Sequence, residues 1–279
     1  MSTLNRCLLL LATYRLILYH QFVVENITPS ITRGLKTSFI GRRVICYSTL
    51  TSTMDAARQL ALQGGEAGTV VIAGEQSTGK GRLKRRWISP AGNIALSIIL
   101  SPDIPSLPYL VMIASLAVVH SIEKNTGIKT RIKWPNDILI DGKKVGGILI
   151  ENYVKGNLAI YSIVGIGINI DLNVAAYPEI STTATSLKSK TGQDFRIKII
   201  RSLLTEFERL YLQLPDGRSI FQVWRSRLIT LGQKVRAVSA NQVIEGIADS
   251  VDESGALVIR ETGGGLTKVV TGDVTLSEK

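Results

Sequence analysis

Five cations crowd one short stretch. In GEQSTGKGRLKRRW, Gly74 to Trp87, the residues Lys80, Arg82, Lys84, Arg85 and Arg86 fall between Gly79 and Trp87, with Leu83 the only apolar residue among them. Like charges at this spacing repel, so ordering them together calls for a multiply charged anion, and Gly79 and Gly81 let a backbone come close to one. That is the chemistry of a phosphate clamp. The plainer alternative is a solvated basic loop, which is what most charge runs are. A nucleotide-binding P-loop is excluded, although Gly74-x4-Gly79-Lys80 begins like one. Gly81 follows the lysine, so the hydroxyl that would ligate Mg²⁺ is missing, and cations stand where an amphipathic helix would start.

Two further stretches carry polar groups at glycines. In RIKWPNDILIDGKKVGGILIE, Arg131 to Glu151, Lys144 precedes Val145-Gly146-Gly147, which leaves room for a ligand beside it; a solvated strand lysine is the alternative. In GIGIN, Gly165 and Gly167 permit close approach of a ligand or of a neighbouring backbone. Gly165-Ile-Gly167 is only a fragment of a dinucleotide fingerprint, since it lacks the third glycine and a following helix. The only histidines are His20 and His120, which argues against histidine-rich zinc sites and a Ser-His-Asp triad. The only cysteines, Cys7 and Cys46, are too few for a disulfide framework and too far apart for a metal knuckle. A reducing, cytoplasmic setting is expected.

Sheet must hold these stretches. Val44 to Tyr47 reads as a strand, and Ser52-Thr-Met-Asp55 has the form of a capping box opening a helix to about Gln63, where Gly64-Gly65 stops it. Thr69 to Ala73 and Asn93 to Leu100 read as strands on either side of the basic loop. Leu107 to Asn125 has helical spacing and is expected to be an amphipathic packing helix that also carries His120. Asp141-Gly142 between Ile138 to Ile140 and Val145 to Ile150 predicts an antiparallel hairpin, with Pro135 extended before it. Leu158 to Asp171 adds a strand, Phe195 to Leu214 a long helix with Asp194 as cap, and Ser219 to Leu228 a shorter helix. From Gly232 onward, short β-rich runs at about ten-residue spacing predict a small β-barrel or sandwich.

The 279 residues suffice for a sizeable core, and 45% hydrophobic against 20% charged residues is a globular composition. Net charge is +11 with pI about 9.7, which favours an anionic partner without naming it. The apolar run Cys7 to Ala12 is interrupted by Arg15 and is far short of the ~20 residues of a membrane span, so an N-terminal helix is expected there rather than a targeting segment. The first 40 residues are also too short and turn-poor for a helix-turn-helix. The expected organisation is an N-terminal extension of unassigned role (1–40), a catalytic domain (41–229) and a small β domain (230–279).

Taken in order, GKGRLKRRW, KWPNDILIDGKKVGGILIE and GIGIN resemble the biotin protein ligase family, over roughly Arg43 to Leu276. The resemblance implies an α+β fold with a mixed, largely antiparallel sheet flanked by helices, of the class II synthetase-like type, followed by an SH3-like barrel. It implies biotin and MgATP as substrates, biotinyl-5′-adenylate as intermediate, and a lysine of a biotin carboxyl carrier domain as acceptor. No DNA or membrane partner is expected, and a homodimer is left open. By resemblance Ser52, Thr53, Met54 and Gln76 contact biotin, and Gly79, Lys80, Gly81 and Gly147 line the ligand site. Asn136 and Asn169 lie near the nucleotide, though each could be a turn cap. Lys144 is the expected main catalytic charge, with Arg82 as the clamp on the adenylate. Asp137 holds Mg²⁺ or accepts a proton from the acceptor lysine; its alternative is an ion pair with Lys133. Trp87 covers the adenine, anchors the loop, or is simply core. Lys80 stands where an arginine is common, Lys84 where a glycine is common, and Met54 where an asparagine is common. A lipoate protein ligase is the nearest alternative. A non-catalytic nucleic-acid-binding protein is the alternative from another class, but of the aromatic stacking residues it needs beside the cations only Trp87 is present.

Overall fold

The computed structural model describes residues 28–239 and 242–276, so the helix expected around Cys7 to Ala12 lies outside the described residues. A short helix α1 (Thr28–Thr32) leads to strand β1 (Val44–Leu50) and helix α2 (Thr53–Leu62). There follow β2 (Val70–Lys80), β3 (Arg86–Ser89), β4 (Ile94–Leu100) and helix α3 (Tyr109–Thr126). Then come β5 (Arg131–Lys133), β6 (Asp137–Ile140), β7 (Lys143–Lys155) and β8 (Leu158–Ile168). Helices α4 (Leu187–Thr191), α5 (Arg196–Tyr211) and α6 (Gly217–Ser226) complete the larger unit.

The main sheet runs β1-β2-β4-β8-β7-β6-β5, with β3 paired to β2. Only β1 and β2 are parallel, joined across α2; the other pairs are antiparallel, as expected. Every residue of β4 is buried, because the sheet is covered on both faces. Ile94, Leu96, Ile98 and Leu100 meet the core under α3, α5 and α6, while Ile99 joins Met54, Ala57, Val71 and Ile163 under α2. The expectation of an amphipathic α3 is corrected: the run Met112 to Val119 is buried on all sides between the sheet, α5 and α6. Its His120 Nδ1 lies 2.7 Å from Glu206 Oε1 of α5.

The Asp141-Gly142 turn has both residues in the left-handed region, which suits the twist of a two-residue hairpin. This fixes the β6–β7 register and hence the face on which Lys144 emerges. Asp194 does act at the start of α5, its Oδ1 accepting from Arg196 N at 2.8 Å. The capping box at Ser52 does not form. Ser52 is extended at the N-cap, but its hydroxyl makes no cap bond, and the amide of Thr53 donates to Gln76 Oε1 instead.

The second sheet has order β12-β11-β10-β9-β13, from β9 (Lys234–Ser239), β10 (Gln242–Val251), β11 (Leu257–Glu261), β12 (Leu266–Val269) and β13 (Asp273–Leu276). All its pairs are antiparallel, and β13 was not foreseen. The two units meet at Trp134, which is buried and whose Nε1 donates to Gly255 O at 2.8 Å.

Candidate active site

A cavity of about 440 Å³ opens between the β2–β3 hairpin, the β6–β7 hairpin and the end of β8. Its wall includes Ser52, Thr53, Met54, Gln76, Lys80, Gly81, Arg82, Trp87, Asn136, Asp137, Lys144, Gly147 and Asn169. Residues separated by more than a hundred positions are thus brought to one place. Gly79 is the exception among the expected site residues. A Cβ there would stand 2.4 Å from Trp87 O, so its smallness serves the pairing of β2 with β3 rather than an anion.

One part of the wall is polar and buried. Gln76 Oε1 accepts from Thr53 N at 2.8 Å and from Thr53 Oγ1 at 3.1 Å, and Ser97 Oγ donates to Thr53 Oγ1 at 2.9 Å. Ser52 Oγ, in a residue only 1% exposed, has no protein partner. A buried hydroxyl costs free energy unless it is hydrogen-bonded, so this one is suited to a polar ligand group.

The floor is made of glycines. A Cβ at Gly165 would meet Met54 Sδ at 2.4 Å, and one at Gly167 would meet Trp87 Cε2 at 2.4 Å. Gly147 lies beneath the edge of the same indole and beside Lys144. Trp87 therefore lies flush on the glycine strands inside the cavity, not in the core. Its ring centroid is 5.4 Å from Lys144 Nζ, a cation–π distance.

Lys144 Nζ is 2.5 Å from Asp137 Oδ1 on the neighbouring strand. The alternative weighed for Asp137, an ion pair with Lys133, gives way to one within the proposed catalytic set. The Lys144 backbone is held on both sides by a segment that the sequence left unassigned: Lys144 N donates to Thr183 O at 2.8 Å, and Thr185 N to Lys144 O at 2.9 Å. Leu172, Ile180, Thr183 and Ala184 of that segment also line the cavity. Asn169 Nδ2 donates to Thr185 O at 3.1 Å, and Asn136 Nδ2 to Ile148 O at 2.5 Å. Both asparagine amides thus brace backbone, as their turn-cap alternative suggested, while their residues still face the cavity.

The basic stretch is a hairpin more than a loop. β2 continues to Lys80, a tight turn closed by Arg85 N donating to Arg82 O at 3.1 Å holds residues 82–85, and β3 starts at Arg86. Lys80 Nζ is 2.5 Å from Asp55 Oδ1. Arg82 Nη1 donates to Asn136 Oδ1 at 3.3 Å. Burial lowers the Arg82 pKa, with Asp137 and Asp273 working against that shift, and a guanidinium in such company keeps its charge. No group of three or more metal-ligating side chains exists among the described residues. The wall carboxylates Asp137, Glu179 and Asp273 form no cluster, which suits a Mg²⁺ that arrives with nucleotide phosphates and keeps its waters, not a cation caged by protein.

A strand-borne cation, a second cation on a hairpin and a buried polar pocket along one glycine floor define a ligase that joins a carboxylate to a nucleotide. Relatives give the same answer. The Biotin/lipoate A/B protein ligase family model matches residues 45–169, and the Biotin protein ligase C terminal domain model matches residues 230–277. The chain is 39% identical over 250 residues to the bifunctional ligase/repressor BirA of Bacillus subtilis, covering 87% of this chain and 77% of that one. It is 34% identical over 218 residues to the biotin--[acetyl-CoA-carboxylase] ligase of Paracoccus denitrificans, covering 75% and 91%. The biotin protein ligase from Aquifex aeolicus, solved in complex with biotin and ATP, superposes with a TM-score of 0.73 at 27% identity, covering 85% of this chain and all of that one. The chain belongs to the biotin protein ligase family.

Proposed function

We propose that this chain converts biotin and MgATP to biotinyl-5′-adenylate and pyrophosphate, then transfers the biotinyl group to a lysine of a biotin carboxyl carrier domain with release of AMP. The observation that carries the reading is the placement of Lys144 and Asp137 beside a buried pocket with a free Ser52 hydroxyl. In this reading the polar head of biotin sits against Ser52, Thr53 and Gln76, and its carboxylate reaches along the Trp87 indole toward Lys144. Carboxylate and α-phosphate are both anions, so the transition state gathers negative charge, and Lys144 and Arg82 are the cations placed to neutralise it. Asp137 would hold Mg²⁺ together with the phosphates, and the ion would supply further charge neutralisation there. In the second half-reaction Asp137 accepts the proton of the incoming ammonium group, whose unperturbed pKa of ~10.4 leaves it mostly non-nucleophilic at neutral pH.

The acceptor is a carrier domain of a biotin-dependent carboxylase, in keeping with the name of the Paracoccus relative, a biotin--[acetyl-CoA-carboxylase] ligase. Ligase activity is carried over from the bifunctional relatives and repressor activity is not, because both matching family models are ligase models. No helix among the described residues is long and apolar enough to cross a membrane, and we place the activity in the cytoplasm, where biotin-accepting carboxylases and ATP are present. The C-terminal domain match favours biotin over lipoate. Biotin- and ATP-dependent labelling of a carrier domain tests the whole reading, with lipoate as competitor. Labelling by lipoate alone would overturn it.

A further inference from the structure

The second sheet reaches the cavity. Asp273, the first residue of β13, is part of the wall, and its Oδ2 lies 2.6 Å from Arg85 Nη2 in the basic hairpin. Two residues earlier, Thr271 Oγ1 accepts from Arg82 Nη2 at 3.3 Å. A carboxylate beside a site built for anions repels the ligand unless a cation holds it, and Arg85 is that cation. The result is a sorting of charge along the hairpin. Asp55 takes Lys80 on one side, Asp273 takes Arg85 on the other, and Arg82 between them hydrogen-bonds to the neutral Asn136 and Thr271. Of the wall cations on the hairpin, Arg82 and Arg86 are those without a carboxylate ion pair among the described residues, and Arg82 is the one tied to Asn136 across the cavity.

The hairpin is narrow. Beyond Gln76 the β2–β3 register shifts, Gly79↔Trp87 and Lys80↔Arg86 pair, and Gly81 N donates to Arg85 O at 2.8 Å just before the tip. At the tip Leu83 and Lys84 both have positive φ, 54° and 61°, which no β-carbon favours. The anchor, in contrast, is firm. β13 pairs with β9 from Asp273 to Leu276, and the same domain is tied to the catalytic unit through Trp134 and Gly255.

We propose that Asp273 is a positioning residue: with Thr271 it fastens the basic hairpin through Arg85, aims Arg82 into the cavity, and slows escape of the acyl-adenylate. The small β domain is thereby part of the active site. The inference rests on the proposed adenylate chemistry and adds the residue that keeps the intermediate in place.

The test uses the full chain with Asp273→Asn, Arg85→Ala, and the exchange Arg85→Asp with Asp273→Arg. Enzyme loaded with labelled biotin and ATP is chased with unlabelled biotin, and the release of biotinyl-adenylate is timed beside kcat, KM for ATP and thermal midpoint. An ion pair this exposed shifts an equilibrium only a few-fold, so each single variant should release adenylate about 2–5 times faster. The exchange should return release toward the parent rate, which a merely structural role would not do. Unchanged release in both single variants, or an exchange as leaky as either, overturns the latch. A parent enzyme that forms no biotinyl-adenylate overturns instead the reading beneath it. Asp273→Asn keeps the shape of the β13 start, so it separates lost charge from lost folding.

Discussion

Lys144 reaches diagonally to Asp137 across two hydrogen-bonded strands, Lys144 pairing with Leu139 and Asp137 with Gly147, and its Nζ lies 2.5 Å from Oδ1, so the proposed catalytic cation is held by a carboxylate before any ligand arrives. The pair keeps the lysine side chain extended over the glycine floor. Phosphate oxygens would then compete with Asp137 for Nζ, while Mg²⁺ satisfies the carboxylate. The charge needed in the transition state is therefore oriented in advance, and little reorganisation remains for the chemical step.

Lys144→Ala should lower the rate of adenylate formation by about 10²–10³, the usual cost of removing one charge-stabilising donor. Biotin affinity by calorimetry should stay within a few-fold, because the polar pocket lies elsewhere on the wall. A variant that makes adenylate at the parent rate would remove Lys144 from its role.

Gly167→Ala tests the floor. The new methyl would stand 2.4 Å from Trp87 Cε2, within a strand paired on both sides, so the indole has to leave its seat. Trp134 and Trp224 are buried in the core and should not respond. A red shift of tryptophan emission with an unchanged far-ultraviolet spectrum is expected, together with weakened ligand binding. Emission identical to the parent would mean that Trp87 does not rest on Gly167.

The residues proposed to act through charge could be singled out in the sequence. Lys144 and Arg82 stand at positions matching the family's motifs, and both line the cavity. Residues whose role is exerted through backbone could not. Thr183 to Thr185 hold Lys144 by main-chain bonds, which leave no side-chain pattern to read. β2 runs on through Glu75 to Lys80 because pairing with β1 and β3 sustains it, where polar residues hid the strand. Asp273 opens a four-residue strand with too few apolar positions to show alternation. Ser52 has the sequence of a cap, but its hydroxyl makes no cap bond, and Gln76 from β2 instead holds the helix start through the Thr53 amide.

Lys84→Gly should relieve strain at the hairpin tip. With φ at 61° the lysine sits where its Cβ crowds the following carbonyl, at a cost of about 1–2 kcal/mol. Part of the gain is offset by the greater freedom of glycine in the unfolded chain, leaving a net increase of about 0.5–1 kcal/mol. Urea denaturation reads the change directly. A loss of stability of similar size would show that the Lys84 side chain makes a contribution larger than the strain.

Acid should loosen the helical layer. Hydrogen bonds from His120 and Arg209 hold the Glu206 pKa down to about 2, from an ordinary value of 4.5. Burial alone would raise the carboxyl of Glu208, but the amides of Phe39, Ser38 and Ile40 donate to it and leave it lowered as well. A carboxylate whose folded pKa is depressed contributes stability that is complete above the unfolded value. That stability is lost as pH falls through the folded one. The urea midpoint should therefore decline between about pH 4.5 and 2. Glu206→Gln should flatten that limb, since the variant has no proton to take up there. Glu208→Ala should cost about 2–3 kcal/mol even at pH 7, because the amides of residues 38–40 lose a charged acceptor. An acid limb of undiminished slope in Glu206→Gln would assign the acid sensitivity to other carboxylates.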